Sequence, residues 1–146
     1  MERLRAIARI ALDEFEGDLR KVVKQAPEKA KKALRLFPGI GDPGAEKILL
    51  FSRSYPALAL ESNGLRALVR LGFGEASKNY STTYRSAQEA AKGQLQEDCR
   101  VLIRAHQLLR RHGQELCRRS APSCEYCPLQ GGCRYYREGV PSRLAF

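Results

Sequence analysis

The residues best suited to chemistry are four cysteines near the end of the chain. Cys117, Cys124, Cys127 and Cys133 read C-x6-C-x2-C-x5-C. Thiolates are the soft ligands of zinc and iron–sulfur centres, and four so closely spaced can fold around one metal centre. The stretches between them, RRSAPS, EY and PLQGG, are short, polar and broken by Pro122, Pro128, Gly131 and Gly132. Such a loop has almost no core of its own, so a metal is expected to organise it. Zinc ribbons usually pair two short knuckles across a longer stretch. Here one C-x2-C knuckle is flanked by single cysteines, which suits one continuous loop wrapped around a cuboidal 4Fe-4S cluster. Disulfides and buried free thiols are the competing readings. The N-terminal MERLRAIARIALDEF is charged and amphipathic, without the long apolar core of a signal peptide. A cytoplasmic, reducing setting is therefore expected, and disulfides are disfavoured. Cys99 lies well upstream in a helical pattern and reads as a packing residue.

The second chemical feature is LFPGIGDPGAEKILLF at 36–51. A helix ends, the chain turns through Gly39, Ile40 and Gly41, and a new helix begins. Glycines let a phosphate approach the backbone, and the new helix offers unpaired N–H groups and the positive end of its dipole. Taken alone the pattern is also that of an ordinary helix–helix turn.

The rest of the chain must position these two features. It has 146 residues, enough for one domain or two small lobes. No apolar stretch is long enough to span a bilayer, so no membrane partner is expected. The formal net charge is +10, which favours an anionic partner, with nucleic acid the usual one. Residues 100–119 carry Arg100, Arg104, Arg110, Arg111, Arg118 and Arg119 against Glu115 alone, beside the cysteine loop. Helical spacing predicts helices over 2–16, from Pro27 to about Leu36, from Pro43 under an Asp42 cap, after a Ser62 or Asn63 cap, and at about 83–96 and 98–113. No alternating strand pattern, repeat or low-complexity segment is present. The predicted class is all-α, with an irregular metal loop and a short tail.

With both features in place, the chain resembles the helix-hairpin-helix DNA glycosylase superfamily, in the branch of endonuclease III and adenine DNA glycosylase. LFPGIGDPGAEKILL resembles the hairpin of that family, and HGQELCRRSAPSCEYCPLQGGC resembles its iron–sulfur loop, over roughly residues 4–137. The resemblance implies an incomplete hairpin lobe over 1–70 and a cluster-bearing helical lobe over 71–146. It implies a flipped base between two lobes and double-stranded DNA as the partner. Gly39, Ile40, Gly41, Arg66, Arg118 and Arg119 are the implied DNA contacts. Backbone groups at Gly39 and Gly41 would also help hold a monovalent cation. The four cysteines would hold a 4Fe-4S cluster that shapes the loop.

Three departures bear on activity. The family's catalytic aspartate falls on Glu61, in Glu61-Ser62-Asn63-Gly64-Leu65-Arg66. A carboxylate there would stabilise positive charge on the sugar or activate an attacking group. The alternative is a solvated residue favoured by a helix dipole. The lysine nucleophile of bifunctional members falls on Pro43, which disfavours Schiff-base lyase chemistry. Lys47, one turn on, reads as a surface residue. Finally, the family carries further helices before the segment matching residue 4. Their absence from this sequence would expose apolar helix faces, to be covered by self-association or by a partner. Two functions follow: a monofunctional DNA N-glycosylase acting through Glu61, or a glycosylase-like DNA-binding protein without catalysis, in a cytoplasmic or nucleoid-associated setting.

Overall fold

The computed structural model describes residues 2–139, so the tail beyond Gly139 lies outside the described residues. Those residues form helices α1 (Glu2–Phe15), α2 (Arg20–Val23), α3 (Pro27–Leu34), α4 (Asp42–Phe51), α5 (Ser62–Leu71), α6 (Tyr80–Ala91), α7 (Cys99–Glu115) and α8 (Arg134–Arg137). Tight single turns at Cys124–Tyr126 and Gln130–Gly132 complete the pattern, and no strand occurs among the described residues. The all-α class is as the sequence implies. No helix among these residues is long and apolar enough to cross a membrane.

Local chemistry explains the boundaries, and corrects several. Gly17, at φ +76°, ends α1. Pro27 opens α3 as expected, whereas α2 is too short to leave a periodic signal. Gly41, not Asp42, caps α4; its backbone is extended, and no side chain caps this helix. Asp42 instead sits in the first turn, with Oδ1 3.3 Å from Arg35 Nη1. The α5 cap is neither Ser62 nor Asn63 but Glu61. Helix α6 starts earlier than its pattern suggests because Asn79 caps it, accepting the Thr82 N–H at 3.3 Å. Asp98 prepares α7 by accepting the N–H groups of Arg100 (2.9 Å) and Val101 (3.2 Å).

The chain divides into two compact units, one running to Ala59 and including Glu97–Ile103, the other formed by Leu60–Gln96 and the residues from Arg104 onward. In the first unit, Val22, Ala30, Leu34, Ala45 and Leu49 form a core against which Phe15, Ile40 and Tyr55 pack. The Phe15 and Phe37 rings stack at 5.8 Å, which fixes the end of α1 beside the hairpin. Lys31 reaches Glu28 (3.1 Å) and the buried Glu46 (3.6 Å), an ion pair not anticipated from sequence. A second cluster joins Leu50, Ala59 and Leu102, with Cys99 at its edge. Helix α1 buries no residue completely, and Leu4 and Leu12 are 70% and 64% exposed.

The second unit is built on α5, which is buried from Gly64 through Arg70. Gly113 of α7 permits that depth, because a Cβ there would run into the Asn63 carbonyl, whereas one at Gly64 would meet Leu109 Cβ at an ordinary 3.4 Å. The helix stops at Gly72, whose φ of +114° only glycine adopts readily.

Candidate nucleic-acid interface and metal centre

The hairpin is assembled by its own backbone. Ile40 N–H donates to the Phe37 carbonyl at 3.1 Å, and Ala45 N–H donates to the Gly41 carbonyl at 2.9 Å. The left-handed φ of Gly39, +90°, makes the turn. Among the described residues, the N–H groups of Gly39, Gly41 and Gly44 donate to no protein group. Three amides at the opening of α4 are thus left for an anion. Ile40 is different: its N–H is used in the turn and its side chain packs on the core. Of the three hairpin residues expected at DNA, the glycines keep free donors and Ile40 serves as the anchor.

Glu61 lies in the second unit at the start of α5. Its Oε1 accepts the Gly64 N–H at 2.7 Å, and its Oε2 accepts from Asn63 Nδ2 at 3.0 Å. The carboxylate is therefore fixed in direction by a helix N-terminus and an amide. Each oxygen retains a further lone pair. Burial first, and the negative charge of Glu61 second, raise the pKa of the Tyr80 phenol above its ordinary value of 10.

Arg66 requires a correction. Expected at the DNA surface, it is only 5% exposed, and its guanidinium faces inward. It donates to Asn63 Oδ1 (2.9 Å), to the Gly113 carbonyl (2.8 Å) and to the Cys117 carbonyl (3.1 Å). One turn along, Arg70 is 3% exposed and was not anticipated as a site residue. It donates to the Arg118 carbonyl (2.7 Å) and the Arg119 carbonyl (3.2 Å), and lies 3.4 Å from Cys117 Sγ. Its guanidinium stacks 4.4 Å above the Tyr135 ring. The two arginines are brackets that hold the start of the cysteine loop. At i and i+4 the two arginines share one face of α5, and nothing in the sequence marks that face as buried.

The loop itself steps in threes. Cys127 N–H donates to the Cys124 carbonyl, Gln130 N–H to Cys127 and Cys133 N–H to Gln130, each at 3.1 Å. Two short 3₁₀ turns, each followed by an extended cysteine, set Cys124, Cys127 and Cys133 at multiples of three along the loop. Cys117 is delivered from α7, its N–H donating to the His112 carbonyl at 2.8 Å. Cys127 Sγ lies 3.8 Å from His112 Nε2, and Cys133 Sγ 3.4 Å from the Arg70 carbonyl. Burial, then the proximity of Cys117, Cys133 and Cys127, raises the pKa of the Cys124 thiol. The Cys124 thiol thus senses the other three. Among the described residues no three Cys, His, Asp or Glu side chains group closely enough to hold a single metal ion. A cuboidal cluster spreads its ligand sulfurs wider than one ion does, and the four-thiol donor set fits it. Arg118 and Arg119 are exposed on the same loop, with Arg118 Nη2 donating to the Ala121 carbonyl at 3.2 Å.

No protein-family model matches this chain. It is similar to endonuclease III of Thermotoga maritima, 29% identical over 93% of this chain and 57% of the relative. It is similar to endonuclease III of Sulfolobus acidocaldarius, 27% identical over 77% of this chain and 48% of the relative. It also resembles the DNA glycosylase/AP lyase ROS1 of Arabidopsis thaliana, 28% identical over 94% of this chain but 11% of the relative. The chain spans about half the length of these endonuclease III relatives.

Proposed function

We propose that this chain, which belongs to the endonuclease III-like branch of the helix-hairpin-helix DNA glycosylase superfamily, acts in base-excision repair as a monofunctional DNA N-glycosylase. The observation that carries this reading is the hairpin, which leaves three glycine N–H groups open at a helix start in a chain similar to endonuclease III along most of its length. These amides bind a DNA phosphate, and Arg118 and Arg119 bind others. Glu61, held by Gly64 and Asn63, directs a fixed negative charge at the deoxyribose as its bond to a damaged or mispaired base breaks. Pro43 offers no amine at the family's lysine position, and Lys47 is an exposed residue one turn on. The base is therefore released by water, and no Schiff base forms. ROS1 is named for both activities; this chain keeps the first.

Cys117, Cys124, Cys127 and Cys133 would hold a 4Fe-4S cluster. When bound, that group supplies a rigid template for the loop and takes no part in bond cleavage. A monovalent cation at the hairpin would use carbonyls not already committed to the turn. A cytoplasmic or nucleoid-associated setting follows from the substrate. Self-association through the exposed Leu4–Leu12 face of α1 would cover its apolar stripe; a monomer in light scattering at micromolar concentration contradicts this.

A second reading has its own support. Both Glu61 oxygens are engaged locally, Oε1 capping α5 at the Gly64 N–H and Oε2 accepting from the Asn63 amide, as in a purely structural glutamate. On that reading the chain binds DNA without catalysis. Single-turnover base release separates the two: Glu61→Gln abolishes release in the first case, and wild-type protein releases nothing in the second. Duplex affinity is nearly unchanged in both.

A further inference from the structure

The hairpin turn carries no lysine or arginine between Phe37 and Gly44, and its one ionisable side chain is the acid Asp42. A cation nevertheless lies on it, contributed by α1. The Arg3 guanidinium sits over Gly39: a Cβ at that glycine would lie 3.4 Å from both Arg3 Cζ and Nη2, and 3.8 Å from Nη1. Three atoms at nearly equal distance describe a guanidinium lying broadside on the turn. A Cβ there would meet the guanidinium at ordinary contact distance, so it is the φ of +90° that favours glycine.

A guanidinium that rests on its face keeps its N–H donors around its edge. Among the described residues those of Arg3 make no hydrogen bond and no ion pair, and the side chain is exposed. Asp42 does not compete for it, because that carboxylate stands 3.3 Å from Arg35. Arg3 lies on Gly39, whose N–H is unpartnered among the described residues, as are those of Gly41 and Gly44 in the same turn. Planar donors on a turn with open amides suit a tetrahedral oxyanion, and arginine binds such groups with two parallel hydrogen bonds.

We propose that Arg3 is a DNA-backbone contact that completes the hairpin's phosphate site from outside the hairpin, supplying the side-chain cation that the turn itself lacks. This rests on the DNA-binding reading of the hairpin and adds a residue to it. The placement depends on the stacked Phe15 and Phe37 rings, which hold α1 against the turn.

The test is the salt dependence of duplex binding by the full chain, comparing wild type with Arg3→Ala, Arg3→Lys and Arg5→Ala. Arg5 is an exposed arginine on the same helix, so its loss removes the same charge without touching the turn. The expected result is a slope reduced by about one for Arg3→Ala, an unchanged slope for Arg5→Ala, and an intermediate value for Arg3→Lys. Equal effects of Arg3→Ala and Arg5→Ala would show diffuse attraction and overturn the Arg3 contact while leaving DNA binding intact. Wild-type protein without salt-dependent duplex binding would overturn the DNA-binding reading, and Arg3 with it. Circular dichroism melts of all variants show whether a lost slope reflects lost folding.

Discussion

The hairpin and the cysteine loop are both irregular, both short and both placed at helix ends, yet they are held by opposite means. The hairpin closes on itself through the Phe37–Ile40 and Gly41–Ala45 backbone bonds, and Ile40 anchors it to the nearby core. The cysteine loop is gripped from elsewhere in the sequence. Arg66 and Arg70 reach into it from α5, and Arg134, just beyond its last cysteine, ties α8 to Glu75 at 2.7 Å. A self-closed turn leaves its amides open for a ligand. A loop braced by buried cations keeps its carbonyls occupied.

This contrast can be broken deliberately. The largest effect is expected from Cys124→Ser, which removes a proposed cluster ligand. The protein should lose its brown colour and much of its solubility; a stable, colourless, DNA-binding variant would show that no cluster organises the loop. Next comes Arg66→Ala, which removes the donor of the Gly113 carbonyl and leaves the Cys117 carbonyl only the 3.5 Å contact from Arg70 Nη1. Chemical denaturation should register a loss of about 2–4 kcal/mol, with Arg66→Lys rescuing little because lysine lacks the planar fork. Loss of affinity with unchanged stability would instead return Arg66 to the DNA surface. Gly39→Ala should act on the other region alone. Its left-handed φ strains any other residue by about 1–2 kcal/mol. DNA affinity should fall while the cluster absorbance stays, and loss of both would mean that the two regions are not independent.

The smallest effect concerns Glu61. Removing its charge by Glu61→Gln should lower the pKa of the Tyr80 phenol, since that charge helps burial raise it. Difference titration against Tyr80→Phe reads this directly, and an unmoved Tyr80 would place the two groups out of electrostatic reach.

The same contrast explains what was legible in the sequence. The hairpin could be read from Gly39-Ile40-Gly41 because every bond that makes it lies within a few residues. The irregular cysteine loop could be read because its prolines, glycines and close cysteines leave no helical period, and the spacing of Cys124, Cys127 and Cys133 matches its short turns. The brackets could not, because Arg66 and Cys117 are 51 positions apart and surface is the default place for an arginine. The α5 cap was misplaced for a related reason. Serine and asparagine are the better intrinsic caps, but Glu61 reaches both Gly64 and Asn63. Arg3 looked like one of several arginines on a solvent face, and only the fold sets it on Gly39.

The central claim is that Glu61 drives base release in a chain that cannot form a Schiff base. Single-turnover release on duplexes carrying oxidised, deaminated and mismatched bases tests it most directly, read with and without alkali beside Glu61→Gln. The account predicts release from at least one substrate by the wild type, strand cleavage only after alkali, and no release by the variant. Strand cleavage without alkali, or a variant as active as wild type, would contradict it.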